Sequence, residues 1–360
     1  MIYKNIGNDK VPAIANGITK VRDVEERINT IKYGISQGLT FIDTAELYGN
    51  GISEEVVGKS IKGFRDDIFL SSKFNHNEST NISNSLNNSL ERLHTDYIDL
   101  YQVHFPNPNI SINKTMNELS KFVDDGKIRY IGLSNFSVQE FDIAQLFTDK
   151  KIVSNQLEYN LLDRSPEDNF ISLKKDVTLI AYSPLNQGRL IHNCEQKILL
   201  KKLSEKYNRS IAQIILRWII EKDNVIPIIK TENITRINEN LNSLEFRLEK
   251  KDITLINNLS KNNIEYIPQK NITPNIYETL DDAIENKLNL IPSPVNLAKI
   301  IKEYNLIKPI RIIEYKNGIY GKYYMFDKYD IMDQVKKYWA WIIAYGYNIP
   351  IPTFIMNDSL

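Results

Sequence analysis

Residues 96–105, DYIDLYQVHF, form a strand-like apolar run that ends on a histidine and a phenylalanine. Before it, Ile82, Leu86, Leu90 and Leu93 recur at helical spacing behind a Ser/Thr/Asn start. Behind it, Met116, Leu119, Phe122 and Val123 repeat that spacing and stop at Gly126, and a second strand-like run, IRYIGLSNF, follows at 128–136. Strand, helix and strand in this order are the unit of an α/β fold.

The alternation extends in both directions. TFID (40–43) and DDIFLSSKF (66–74) lie upstream, and IVSNQLEYN (152–160), VTLIAYSP (177–184) and NVIPIIK (224–230) lie downstream. A weaker strand, VPAIANG (11–17), precedes a helix through Ile28, Ile31 and Ile35 that runs toward Gly38. Eight strands, each followed by a helix, over residues 11–260 predict a (β/α)8 TIM barrel. The rival is an open doubly wound sheet, which usually carries a Gly-rich phosphate turn after its first strand. No G-x-G-x-x-G occurs here.

The texture changes after Ser260. Residues 262–360 hold 15 of the 36 aromatics and two of the three tryptophans, enough for a small core of their own. A helix (VNLAKIIKEYN), a strand (KPIRIIEY), a KNG turn, a strand (IYGKYYMF), a helix (DQVKKYWAWIIAYG) and a closing strand (PIPTFIM) suggest an α+β unit. The expected organisation is therefore a barrel over 1–261 and a small α+β domain over 262–360.

Composition narrows the function classes. The 42% hydrophobic and 25% charged residues are those of a globular chain. Basic and acidic residues both number 45, and residues 262–360 carry 11 of each. That balance argues against a polyanion-binding surface, so neither nucleic acid nor membrane is an expected partner. A small molecule is. The single Cys194 excludes an intramolecular disulfide, and no N-terminal apolar segment resembles a signal or a span, so a cytoplasmic setting is expected.

In a barrel the chemistry gathers at the C-terminal strand ends. Asp43, Lys73 and His104 close three consecutive candidate strands, and Tyr48 follows Asp43 in a loop. Tyrosine, with a reference pKa of about 10, exchanges its proton reluctantly near neutrality, and a nearby ammonium stabilises tyrosinate. Lys73 suits that task if a carboxylate keeps it charged, and Asp43 supplies one. His104 can orient a carbonyl oxygen or relay a proton. Such a set protonates a carbonyl but contains no nucleophile or metal cluster, so a hydride-carrying cofactor is required.

Seven motifs in order, FIDTAELYG, SSKF, YQVHF, GLSNF, NQLEYN, AYSPL and IIKTENITRINEN, resemble those of the aldo-keto reductase family. The resemblance covers about residues 11–260. It implies that Asp43, Tyr48, Lys73 and His104 form a catalytic tetrad with Tyr48 as proton donor. It also implies that Ser134, Asn135 and Gln156 hold the nicotinamide carboxamide, that Tyr182 stacks on the ring, and that Ser183 and Leu185 approach the pyrophosphate. Lys230, Thr231, Arg236, Glu239 and Asn240 match the remaining cofactor positions, and the cations among them favour NADPH over NADH. The implied activity is NADPH-dependent reduction of a small-molecule aldehyde or ketone. A cofactor-binding sensor or scaffold that acts through the tail is the alternative.

Two departures stand out. ANGIT (15–19) keeps only Gly17 of the usual Gly-x-Gly-Thr and puts Ile18 where a small polar residue is common, and Ile229 replaces a proline. His76, His94 and His192 fall outside the matched set, and Cys194 reads as a passive loop thiol. The tail segments IEYIPQKNITPN, NLIKPIRIIEYKNGIY and KKYWAWIIAYGYNIPIPTFI resemble a ParB-like or sulfiredoxin-like domain. That domain's Gly-Arg phosphate turn is missing, and Lys336 and Lys337 stand nearby instead. A lid over the barrel mouth or an assembly module is the expected role.

Overall fold

A computed structural model describes residues 1–77, 80–107, 109–192, 197–259, 311–314 and 322–325. Eight parallel strands close a barrel: β3 (Ala15–Gly17), β4 (Phe41–Asp43), β5 (Phe69–Phe74), β6 (Ile98–Val103), β7 (Ile128–Ser134), β8 (Ile152–Glu158), β9 (Thr178–Tyr182) and β10 (Val225–Ile229), with β10 returning to pair with β3. Every residue of β4, β5, β6 and β10 is buried, as expected of parallel strands covered on both faces. This is the TIM barrel expected from the alternation. All eight strands and every candidate site residue lie in one compact unit.

The helices are α1 (Val24–Ser36), α2 (Ile52–Ile61), α3 (Ile82–Leu93), α4 (Ile112–Asp124), α5 (Val138–Leu146), α6 (Arg189–His192), α7 (Lys197–Tyr207), α8 (Ile211–Ile220), α9 (Ile234–Leu241) and α10 (Lys250–Asn258). Side chains set several of their starts. Asp23, Asn81 and Asn233 accept from backbone N–H groups of α1, α3 and α9, and Ser210 with Gln213 forms a capping box on α8. Among the described residues, no helix is long and apolar enough to cross a membrane.

Two expectations need correction. The run at 11–17 is not one strand. It splits between β3 and a preceding antiparallel hairpin, β1 (Tyr3–Ile6) and β2 (Asp9–Pro12), which turns at Gly7 with φ 58°. Ile6 and Val11 of that hairpin are buried with Ala15, Phe41, Phe69, Leu100 and Ile226, so it plugs the end of the barrel where these strands begin. Lys4 fastens the plug through Nζ bonds of 2.5 Å to the Lys222 and Val225 carbonyls, and burial lowers its pKa to about 7. Second, β8 is not followed by an α-helix: the connection to β9 contains only a π-helical turn, Glu167–Ile171. The loop after β9 carries a 3-10 turn at Asn186–Gly188 and α6.

Of the tail, two strands are described, β11 (Arg311–Glu314) and β12 (Lys322–Met325), paired antiparallel. They coincide with the KPIRIIEY and IYGKYYMF strands of the sequence reading. The rest of the tail reading, with Lys336, Lys337 and the tryptophans, lies outside the described residues, as does Cys194.

Candidate active site

Strand ends bring the four expected residues together. Asp43 is the last residue of β4, Lys73 the fifth of six in β5, and His104 directly follows β6. Lys73 Nζ donates to Asp43 Oδ2 at 2.7 Å and to the Thr44 carbonyl at 2.8 Å, with no solvent exposure. Burial opposes the charge. Asp43, and to a smaller degree Tyr48, outweigh it through charge and hydrogen bonding, and the Lys73 ammonium is held above its ordinary pKa. Its nitrogen lies 5.2 Å from the Tyr48 ring centre.

His104 meets the Tyr48 ring edge-on, with centroids 5.6 Å apart at 84°, and stacks on Phe105 at 4.7 Å. Burial, then the Lys73 charge, lowers its pKa to about 3, so the imidazole is neutral across the physiological range. A neutral ring can hydrogen-bond a carbonyl oxygen without adding a second cation beside Lys73.

The resemblance-assigned cofactor residues fall into two groups. In the first, Asn135 adopts φ 65° just beyond β7 and joins three strand ends. Its Nδ2 donates to the His104 carbonyl at 3.0 Å and to Ser134 Oγ at 3.1 Å, and its Oδ1 accepts from Tyr182 OH at 3.0 Å. Burial, with the charges of Glu158, Asp163 and Tyr48, raises the Tyr182 pKa to about 12, which keeps its phenol a donor. Ser134 Oγ donates to the Gln156 carbonyl at 3.2 Å. Gln156 Nε2 donates to Asp43 Oδ1 at 3.0 Å, a link to the acid that no motif announced. Ser183 has φ 51°, and Leu185 packs against the cluster of Ile14, Leu39, Leu216 and Ile229.

The second group gathers after β10. Lys230 is exposed and Thr231 buried, and the Thr231 carbonyl accepts from Arg27 of α1. Burial lowers the Lys230 pKa; Glu232 opposes the shift, and the charges of Lys20, Arg27 and Arg22 add to it. Four cations thus act on one locus. Arg236 is exposed on α9, Glu239 is half-buried with its carbonyl accepting from Gln213, and Asn240 is buried. No side-chain bond among the described residues ties Arg236, Glu239 or Asn240 to Lys230.

The departures at the first strand have a packing cause. A Cβ at Gly17 would stand 2.6 Å from Ile228 Cγ2, so β3 and β10 approach more closely there than a side chain allows. Ile18 is fully buried, and its backbone donates to the Asp43 carbonyl at 2.8 Å. Sequence reasoning missed two polar side chains that reach the acid: Ser71 and Gln102 both donate to Asp43 Oδ1, at 3.0 and 3.3 Å. The only available signal was a polar residue inside each apolar run.

Comparison with known proteins agrees with this geometry. The aldo/keto reductase family model matches residues 14–261. A glyoxal reductase of Bacillus subtilis (strain 168) is 35% identical over 258 residues, covering 70% of this chain and 90% of its own. A methylglyoxal reductase of Escherichia coli (strain K12) is 32% identical over 261 residues, covering 69% and 91%. The crystal structure of an aldo-keto reductase from Klebsiella pneumoniae in complex with NADPH superposes with a TM-score of 0.66 at 29% identity, covering 72% and 96%. Strand order, strand-end chemistry and the extent of the match agree: this chain belongs to the aldo/keto reductase family.

Proposed function

We propose that the protein reduces the carbonyl of a small aldehyde or ketone with NADPH, and that Tyr48 delivers the proton. The observation that carries this reading is the buried Lys73–Asp43 pair, 2.7 Å apart, with the Tyr48 phenol acting on the same ammonium. NADPH suits the second group of residues: Lys230 among Lys20, Arg22 and Arg27 would hold its phosphate, with Thr231 and Arg236 beside it. Asn135, Ser134, Gln156 and Tyr182 would hold the nicotinamide end, and Ser183 and Leu185 the pyrophosphate. Glu239 and Asn240 would complete the site from α9. When bound, the cofactor supplies the hydride.

The chain supplies the rest. His104, neutral, orients the carbonyl oxygen toward Tyr48. The phenol gives its proton to that oxygen as charge develops there, and Lys73 stabilises the phenolate left behind. Asp43 keeps Lys73 charged and in place. Solvent returns the proton to Tyr48 after the alcohol leaves. Glyoxal and methylglyoxal are the first substrates to test, because two relatives carry those names. Tyr48→Phe keeps the ring against His104 but removes the transferred proton. Its turnover should fall by about 10²-fold or more while NADPH affinity, read by fluorescence titration, holds. Retention of a tenth of the turnover would reject the role.

Residues 262–360 lie beyond the family match. We assign them a lid or assembly role. Deleting them should change substrate KM or oligomer size, and a truncated chain unchanged in both refutes that role.

A further inference from the structure

Asp43 is held by more donors than its pair with Lys73 requires. Oδ2 accepts from Lys73 Nζ at 2.7 Å, whereas Oδ1 accepts from three side chains on three strands: Ser71 Oγ at 3.0 Å, Gln156 Nε2 at 3.0 Å and Gln102 Nε2 at 3.3 Å. Gln102 Nε2 also donates to Ser71 Oγ at 2.8 Å, which closes a ring of Gln102, Ser71 and Asp43. None of the three is more than 2% exposed.

The ring depends on the sequence of the neighbouring strand. A Cβ at Gly132 of β7 would stand 2.9 Å from Gln102 Cγ and 2.6 Å from Ser154 Oγ, so the glycine makes room for the glutamine stem. Gln102 Oε1 finds no hydrogen-bond partner among the described residues. A leucine of similar shape would fill this buried position without an unpaired carbonyl, whose cost offsets the amide's bonds to Ser71 and Asp43, so the amide brings folding little net gain. Its benefit has to lie elsewhere. Gln156, meanwhile, has a second use, because the same amide is the one assigned above to the nicotinamide carboxamide.

We propose that Gln102 is a positioning residue for the reaction: through its paired bonds to Ser71 and Asp43 it keeps the carboxylate aimed at Lys73 while Gln156 serves the cofactor. This rests on the roles given above to Asp43, Lys73 and Tyr48. Ser71 and Lys73 are on β5, Gln102 pairs with Lys73 in the β5–β6 register, and Asp43 pairs with Ser71 in the β4–β5 register. Three adjacent strands therefore fix one carboxylate.

The test compares wild type, Gln102→Leu and Gln102→Glu as full-length chains, with methylglyoxal and NADPH as the reactants. Gln102→Leu should lose about tenfold in kcat, at unchanged NADPH Kd and with a Tm close to wild type, because the loss of bonds to Ser71 and the charged Asp43 is offset by removal of an unpaired carbonyl. Gln102→Glu should be weaker still at pH 8 and regain part of its activity relative to wild type toward pH 5, since a protonated carboxyl has one O–H that can again donate to Asp43. A Gln102→Leu kcat within twofold of wild type overturns the proposal. So does a loss matched by a lowered Tm, which would mark the residue as structural. A wild-type chain that does not consume NADPH sinks both readings; an active wild type with an indifferent Gln102→Leu sinks this one alone.

Discussion

Replacing Asp43 by asparagine tests whether the Lys73–Asp43 pair is the site's electrostatic foundation. In Asp43→Asn, Oδ1 can still accept from Ser71, Gln102 and Gln156, but an amide NH₂ now faces Lys73 Nζ where a carboxylate oxygen stood at 2.7 Å. Two donors meet, and the ammonium, with no solvent exposure, keeps only the Thr44 carbonyl at 2.8 Å and the Tyr48 phenol. Removing one partner of a buried ion pair costs about 3–5 kcal/mol. At roughly 2–4 °C per kcal/mol for a domain of this size, Tm should drop by about 6–20 °C. The pH dependence separates this cause from a simple packing defect. In the wild type the pKa of Lys73 is raised above 10.5, so its stabilisation is fully present below the unfolded value and lost only as pH rises through the folded one. In the variant burial is no longer offset by Asp43, the lysine pKa falls, and the deficit should shrink as pH rises from 7 toward 10. The double variant Asp43→Asn/Lys73→Met removes the stranded charge and should regain most of the lost Tm while remaining inactive. Thermal melts of the three chains at pH 7 and 9, with NADPH oxidation alongside, decide the matter. A single variant melting within about 2 °C of wild type, or a double variant no more stable than the single, would refute the reasoning.

Much of the barrel was legible because burial on both faces makes the strands largely apolar runs, unbroken in VIPII and broken only by a few polar residues in FLSSKF and IDLYQV. The convergence of the candidate residues was legible for a related reason: consecutive strands of a barrel put Asp43, Lys73 and His104 at one rim whatever their separation in the chain. The plug was not. Its buried apolar residues are few, Ile6 and Val11, and they become a face only against the barrel floor. The link between β8 and β9 misled in the opposite way, since the alternation called for a helix and the chain supplies a π-turn tied by Arg164 to Glu167. The bonds of Gln102 and Gln156 to Asp43 were opaque in a third sense. A glutamine in an apolar strand looks like an interruption, and its partner Asp43 is 59 or 113 residues away. Only the closed sheet makes the interruption a set of donors. Ile18 shows the converse, because it was read as a departure from a polar pattern and its fully buried position explains it.

Three further outcomes are expected. Gly58→Ala would place a Cβ 2.6 Å from the Arg92 carbonyl oxygen and 2.7 Å from the Leu93 carbonyl carbon, backbone atoms at the end of α3 that cannot swing aside. The overpacking should cost about 1–3 kcal/mol, read as a lower urea midpoint, and an unchanged midpoint would contradict the close approach of α2 and α3. Lys230→Ala should weaken NADPH by about tenfold or more and leave NADH nearly unaffected, since the lost partner is the extra phosphate; equal losses for both cofactors would move the phosphate site elsewhere. The last concerns acid. Burial is the main cause that lowers the pKa of His104 to about 3 and of His76 to about 4, against an ordinary 6.5. The unfolded chain takes up both protons near 6.5 and the folded chain does not, so stability is full above that pH and falls as pH drops toward 4. The slope approaches about 1.4 kcal/mol per pH unit for each histidine. Urea unfolding between pH 7 and 5 should show this loss, and His104→Asn should remove one histidine's share. Because His104 stays neutral over the same interval, kcat should have no inflection near pH 6.5. An inflection there that disappears in His104→Asn would mean that the imidazole carries a proton in the working enzyme, and the assignment of Tyr48 as the group that delivers it would fail.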